Sequence, residues 1–316
     1  MRSIGIIGSH ITAEVTHVSL PLLNQRGERE LLKQLRHEHT WVAEIPSKQK
    51  WVNNDVIKIP KRGEAPKVLI NNTQYPIVKN KRDDSHIILG LNKFDTENTE
   101  VSLDELYALP YEKVSDVQMQ HRETLEDETM EYGLYGIPPT EKDEANNLFI
   151  IETTGPDRGD GTLKLVKKDL RTLQEKMNKA GISKKGRILV LCDEHETDLY
   201  DEDSKFENKM ANHKEGTPAP MLYGFKIYVD STTPEYDDNL EKLPYQSVDV
   251  GRKSSVVFHK KATGKANGTV VRIALPASMN PEGRAHVIGY QFYHVIVAYG
   301  VEGSAAVVDG KTPPQA

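Results

Sequence analysis

The stretch from Trp51 to Thr99 restricts this chain most: VIKIP, KVLINN, YPIVKN and HIILGLNKFDT read as extended pieces separated by RGEAP, Asn-rich links and KRDD. Val- and Ile-rich runs bounded by Gly, Pro, Asn and Asp are strands. Pro60, Pro66 and Pro76 remove backbone donors, which confines these strands to edges or to an isolated ribbon. A two-stranded ribbon is marginal in water unless another surface covers it. The pattern therefore predicts a long two-stranded excursion that is completed by a partner.

The segments on either side are of two kinds. Residues 1 to about 50 read as an arm, with a break at Pro21 and a short amphipathic stretch, RELLKQLRHEH, whose Leu31, Leu32 and Leu35 share a side. His37 and His39 fall on opposite sides of such a helix, which makes them a polar helix end rather than a ligand pair. After the ribbon, SLDEL has Ser102 and Glu105 at capping-box spacing and opens a helix. Beyond Pro110, YEKVSDVQMQHRETLEDETMEYGLYGI predicts a long helix ending near Gly133 or Gly136. Its stripe of Tyr111, Val114, Val117, Leu125 and Tyr132 is thin, as in a helix that lies on something rather than inside it.

Residues 138 to 161 are loop-rich apart from LFIIETT, and Arg158-Gly159-Asp160 within PDRGDG has the composition of a turn rather than of an adhesion ligand. Val166, Leu170, Leu173 and Met177 then mark an amphipathic helix ended by Gly181. RILVLC, GFKIYVD, SSVVFHKKAT, TVVRIAL and GYQFYHVIVAYGV are alternating or apolar strands, and the tail GKTPPQA is loose. The second half is an α+β domain with a mixed or antiparallel sheet.

Composition narrows the function. The 316 residues suffice for one large or two modest domains. With 37% hydrophobic and 28% charged residues and a mean hydropathy of -0.58, the chain has much surface per residue, suited to edges that partners bury. A net charge of -6 argues against a dedicated nucleic-acid binder. No long apolar run is present to span a membrane. The start, MRSIGIIGSHITAE, is too polar for a signal peptide, which leads to the expectation of a cytoplasmic start. Cys192, the one cysteine, can form no intrachain disulfide and, at a strand end, reads as a small buried hydrophobe. The charge is segregated: residues 48 to 82 hold nine bases and two acids, 9 - 2 = +7, and residues 83 to 132 hold three bases and fourteen acids, 3 - 14 = -11.

One segment has residue types suited to chemistry. CDEHETDLYDED, residues 192 to 203, holds one Cys, one His and seven carboxylates. His195, Glu196 and Asp198 could ligate a metal, with His213 or His259 completing a hydrolase site. The spacing is wrong: four residues beyond His195 stands Leu199, where a metal-binding helix places its second ligand. No nucleophile elbow or phosphate-cradling Gly loop accompanies it. The expectation is a short helix capped by Asp193, with Leu199 inward, the acids in water, and no catalytic, metal or cofactor residue. A secreted β-rich module displaying Arg158-Gly159-Asp160 is the other reading, opposed by the missing signal peptide.

The order of parts resembles the major capsid proteins of tailed bacteriophages, the Hong Kong phage fold. The stretch KKDLRTLQEKMNKAGISKKGRILVLCDEHETDLYDEDSKFENKMANHKEGTPAPMLYGFKIYVDS, followed by SSVVFHKKAT, is similar to that family's axial domain. WVNNDVIKIP through KFDTENTEV resembles its E-loop, and residues 102 to 136 resemble the spine helix of its peripheral domain. The resemblance implies an α+β fold with an N-terminal arm (1-50), an E-loop ribbon (51-101), a peripheral domain (102-161, with strands returning at about 286-316) and an axial domain (162-285) with a mixed sheet. It implies a non-enzymatic virion protein, assembled in the host cytoplasm into the pentamers and hexamers of an icosahedral head around double-stranded DNA. Its implied partners are its own copies, E-loop against the neighbouring peripheral domain, then portal, scaffold and decoration proteins, with packaged DNA as a non-specific contact and no membrane. The arm is too short to be the long scaffolding segment of some members. Lys58, Lys61, Lys67, Lys79 and Lys81 lie in the E-loop, but nothing singles out one of them for covalent crosslinking.

Overall fold

The computed structural model describes residues 39–53, 56–61, 68–77, 79, 81–83, 85–103, 113–143, 145, 147–202, 206, 208, 210, 220–280, 282–299 and 303–312. The arm helix before His39, the SLDEL helix beyond Leu103, segment 62–67, His213 and the end of the tail lie outside the described residues. In chain order the strands and helices are β1 (Val52–Asn53), β2 (Val56–Lys61), β3 (Ser85–Gly90), β4 (Asn92–Asp95), β5 (Thr99–Ser102), α1 (Lys113–Gly136), β6 (Phe149–Glu152), β7 (Thr162–Leu163), α2 (Lys167–Lys179), β8 (Arg187–Leu191), α3 (Asp193–Glu202), β9 (Met221–Leu222), β10 (Phe225–Val229), β11 (Ser254–His259), β12 (Thr263–Leu275), β13 (Ala285–Ala298), β14 (Ser304–Val308) and β15 (Gly310–Lys311).

The chain divides into two compact units. The larger takes residues 36–96, 123–269 and 292–316. Its centre is a mixed sheet of six strands, β6-β14-β11-β8-β10-β9, parallel at β6/β14 and β8/β10 and antiparallel elsewhere. The mixed sheet expected of the second half is present. It also takes in β6 and β14, from segments that the resemblance assigns to the peripheral domain.

β8 explains why RILVL carries no alternation. Leu189 and Leu191 pack with Leu170, Leu173 and Met177 of α2 and Leu199 of α3, whereas Ile188 and Val190 pack with Trp41, Val42, Met130 and Leu134. A strand covered on both faces reads as a continuous apolar run. α2 follows its sequence signature: Leu170, Leu173 and Met177 are fully buried, and Gly181 beyond its end takes a φ of 74°, which a side chain would strain. The Asp169 carboxylate accepts the Val166 N–H at 3.2 Å and the Thr154 N–H at 3.0 Å, which fixes the start of α2.

Part of the expected arm belongs to this core. Trp41 and Val42, in the 3-10 turn Thr40–Glu44, and Ile45, just after it, are almost fully buried. His39 Nδ1 lies 2.9 Å from Asp230 Oδ2, and Trp41 Nε1–H donates to the same oxygen at 2.8 Å. Asp230 follows β10 and is held in place by its N–H, which donates to the Leu191 carbonyl.

The ribbon has three strands, β1-β2-β3, because Val52 and Asn53 fold back on Ile57 and Val56. β2 and β3 pair without a break from Val56↔Gly90 to Lys61↔Ser85, with Pro60 opposite His86. Its base is anchored where Ile57 packs with Ala266 and Val295.

The smaller unit takes residues 97–122 and 270–291 together with 1–35. β5 pairs with β13 from Thr99↔Ile288 to Ser102↔Ala285, and Val101, Val117, Ile288 and Tyr290 are buried. The His121 ring meets that of Tyr290 at a tilt of 57°, with ring centroids 5.6 Å apart. α1 itself buries more than its thin stripe implies: Thr129 turns its hydroxyl back to the Leu125 carbonyl at 2.7 Å, and the apolar Met130 and Leu134, outside that stripe, are more enclosed than Val114 and Tyr132.

Candidate functional site

The segment 192–202 forms the predicted helix α3, but its acids are not all in water. His195 is 0% exposed and Asp198 is 4% exposed, which overturns the expectation of a solvated acidic face. The physical reason is spacing: His195, Asp198 and Leu199 share one face of a helix, and the face that buries Leu199 buries the other two.

The partners come from distant parts of the chain. β15 pairs with β7, which brings Asp309, between β14 and β15, beside the turn that carries Arg158. Arg158 Nη2 donates to Asp198 Oδ2 at 2.7 Å and to Asp309 Oδ1 at 3.1 Å. His195 Nε2 donates to Asp309 Oδ1 at 3.0 Å, and its Nδ1 lies 2.6 Å from Ser255 Oγ on β11. Ser255 Oγ also accepts the Cys192 N–H at 3.1 Å and reaches Cys192 Sγ at 3.7 Å. Asp198 Oδ2 further accepts the Leu165 N–H at 2.8 Å.

This is a balanced buried quartet: Arg158 and His195 supply two positive charges, Asp198 and Asp309 two negative ones. Burial opposes the His195 imidazolium, but the Cys192 sulfur and the Asp309 carboxylate outweigh it, and the group is pushed up to about 10. Burial likewise raises Asp309, yet the bonds from His195 and Arg158 prevail and hold it below the usual carboxylate value. With the ring doubly protonated, both its N–H groups have acceptors.

The arrangement does not suit hydrolysis. Ser255, His195 and Asp309 are hydrogen-bonded in series, but Nδ1 faces the Ser and Nε2 the Asp, the reverse of the Ser-His-Asp triad. Ser255 is 0% exposed, so no substrate reaches its hydroxyl. Nor does the metal set of the alternative hydrolase reading converge. The Arg158 guanidinium occupies the place beside Asp198 that a dication would need, and Glu196 accepts from Tyr200. His259, four residues from Ser255 along β11 and so about 13 Å away, is hydrogen-bonded at the Lys185 carbonyl. Arg158-Gly159-Asp160 is the expected turn: Gly159 has a φ of 102°, and Asp160 accepts the Thr162 N–H at 2.9 Å. Sequence reasoning named His195 and Asp198 but missed Arg158, Ser255 and Asp309 as their partners. Only the i, i+4 relation of His195 to Leu199 signalled the burial.

The other candidate is a surface. Beyond its anchored base the ribbon segment exposes Val68, Leu69, Ile70, Tyr75, Ile77 and Ile88, with Val68 at 87% and Ile70 at 84%, beside the exposed Lys58, Lys79 and Lys81. A run of large exposed apolar groups on one excursion is the mark of an interaction site. In the acidic block of residues 83 to 132, Glu123 and Asp127 on α1 are exposed, whereas Glu126 is only 9% exposed. No helix among the described residues is long and apolar enough to cross a membrane.

No protein-family profile and no curated protein matches this sequence. Solved structures do. The capsid of Ralstonia phage GP4 superposes with a TM-score of 0.61 at 10% identity, over 86% of this chain and 88% of that one. The capsid of cyanophage P-SCSP1u gives 0.59 at 11% identity, over 86% and 88%. A chain of Mycobacterium phage Che8 gives 0.55 at 14% identity, over 88% and 90%. At these identities the likeness is one of fold, and it covers nearly the whole chain: the protein has the α+β fold of tailed-phage major capsid proteins.

Proposed function

We propose that the chain is a major capsid protein, a non-enzymatic shell subunit that assembles into the pentamers and hexamers of an icosahedral head around double-stranded DNA. The observation that carries this reading is the ribbon: a fold shared with phage capsids over 86% of the chain presents Val68, Leu69 and Ile70 at its most exposed point. A run of such groups marks an interaction surface. A neighbouring copy covers them, ribbon against peripheral domain, in a shell where every subunit repeats the same contact. Portal, scaffold and decoration proteins are the further partners of this reading, and packaged DNA is a non-specific one. His195 and Asp198 hold the fold together and no residue is catalytic. The test is electron microscopy and light scattering of the purified full-length chain. Closed shells of uniform diameter are expected; a chain that stays monomeric across salt and concentration, or that hydrolyses a substrate in a His195-dependent way, overturns the reading.

A further inference from the structure

A cleft of about 290 Å³ opens beside the C-terminal part of α1, against the loop from Ser231 to Lys253. Three of its walls are carboxylates, Glu131, Glu235 and Asp249, against one ammonium, Lys253. Glu235 is already paired with Lys253 at 2.6 Å, which leaves Glu131 and Asp249 as the unbalanced charge. Glu131 and Glu128 both accept from the Tyr245 hydroxyl, at 3.2 and 3.0 Å, and burial, together with the neighbouring carboxylates of Glu128 and Asp127, raises Glu131 above its ordinary value. Thr233 also lines the cleft; it is 7% exposed, and its hydroxyl has no hydrogen-bond partner. Tyr135 and Tyr245 supply aromatic walls with ring centroids 5.5 Å apart. Val248 and Val250, the chain neighbours of the lining residue Asp249, are 98% and 97% exposed.

The volume limits the guest. One helical turn, about 10 Å wide and 5.4 Å tall, fills more than this space. One long side chain fits, and the chemistry asks for a cationic one: carboxylates for its charge, a hydroxyl oxygen to accept its hydrogen bond, and rings for its apolar stem. We propose that this cleft binds an ammonium side chain from residues 74–82 of a second copy. That segment, QYPIVKNKR, carries the exposed Lys79 and Lys81, and its Tyr75 and Ile77 are exposed apolar groups of the same kind as Val248 and Val250 on either side of Asp249. The inference rests on the shell reading and adds to it where one ribbon is received.

Cys192 is the only cysteine and is 1% exposed, so engineered cysteines can report the contact without interference. Full-length Asp249→Cys and full-length Lys81→Cys are mixed, assembled and mildly oxidised. A disulfide-linked dimer should predominate in assembled particles and fall at least tenfold when Lys58→Cys replaces Lys81→Cys. Particles that form without the crosslink, or that crosslink equally from Lys58→Cys, overturn the inference and leave the shell reading standing. If the unsubstituted chain forms no particles, the shell reading fails. The cleft is then judged on the unassembled chain with a synthetic peptide of residues 74–82: Glu131→Gln and Asp249→Asn should each weaken binding at least tenfold, and unchanged binding overturns the inference.

Discussion

His195 Nε2 stands 3.0 Å from Asp309 Oδ1, across 114 positions of sequence, and neither side chain is more than 2% exposed. Removing His195 leaves Asp198 and Asp309 buried against Arg158 alone, with one negative charge uncompensated, at a cost of about 3–5 kcal/mol. His195→Ala should therefore destabilise the chain by that order in urea unfolding, whereas Glu196→Ala should change it by about 0.5 kcal/mol or less. Equal, small effects of the two substitutions would show that the quartet contributes nothing to the fold.

The same pair sets a pH dependence with two limbs. The His195 pKa is raised from 6.5 to about 10, so its contribution is full below pH 6.5 and is lost as the pH climbs through about 10. Asp309 is lowered from 3.8, so its contribution is full above pH 3.8 and is lost as the pH falls through its lower folded value. Unfolding free energy measured against pH should show a plateau between these limits, and His195→Ala should flatten the alkaline limb.

Asp230 pins the start of the described chain. Burial raises its carboxyl, but the bonds from His39, Thr232 and Trp41 prevail and lower it to about 2. Its contribution is therefore complete above pH 3.8 and disappears only as the pH approaches 2. Asp230→Ala strands the Trp41 indole N–H in the core and should cost about 1–3 kcal/mol, with a shift in Trp41 emission. An unchanged stability at pH 7 would mean that the indole finds another acceptor.

If the proposed shell reading holds, the ribbon should tolerate charge in the monomer and not in the assembled particle. Ile70 and Ile88 are 84% and 65% exposed, so Ile70→Asp with Ile88→Asp should change monomer stability by about 0.5 kcal/mol or less per site. The same pair should abolish assembly, as read by sedimentation. Shells formed at the unsubstituted yield would place the intersubunit contact elsewhere.

Much of this fold was legible because it follows from short-range pattern. The 3.6-residue spacing of Leu170, Leu173 and Met177, the terminating Gly181, the apolar run of β8 and the proline-punctuated ribbon are all local signals. The quartet was not legible, because Arg158 lies in a turn-forming tripeptide and Asp309 beyond the last long strand, and only tertiary pairing of β7 with β15 joins them to α3. One inference was within reach: a helix that turns Leu199 inward must turn His195 inward too. The acidic composition of 192–203 obscured it, since composition averages over both faces of a helix.

β8 has a consequence for how the sheet assembles. Because both its faces are apolar, sliding it by one residue against β11 would exchange Leu for Val or Ile and leave burial almost unchanged, so side-chain hydrophobicity alone gives it little reason to stop at the native alignment. The stops are polar and stand at its two ends. Arg187 donates to the Ser183 and Ile182 carbonyls and to Asn178, and the N–H of Cys192, just past the last residue, meets Ser255 Oγ. A chain lacking either stop would still collapse, but into a mixture of alignments.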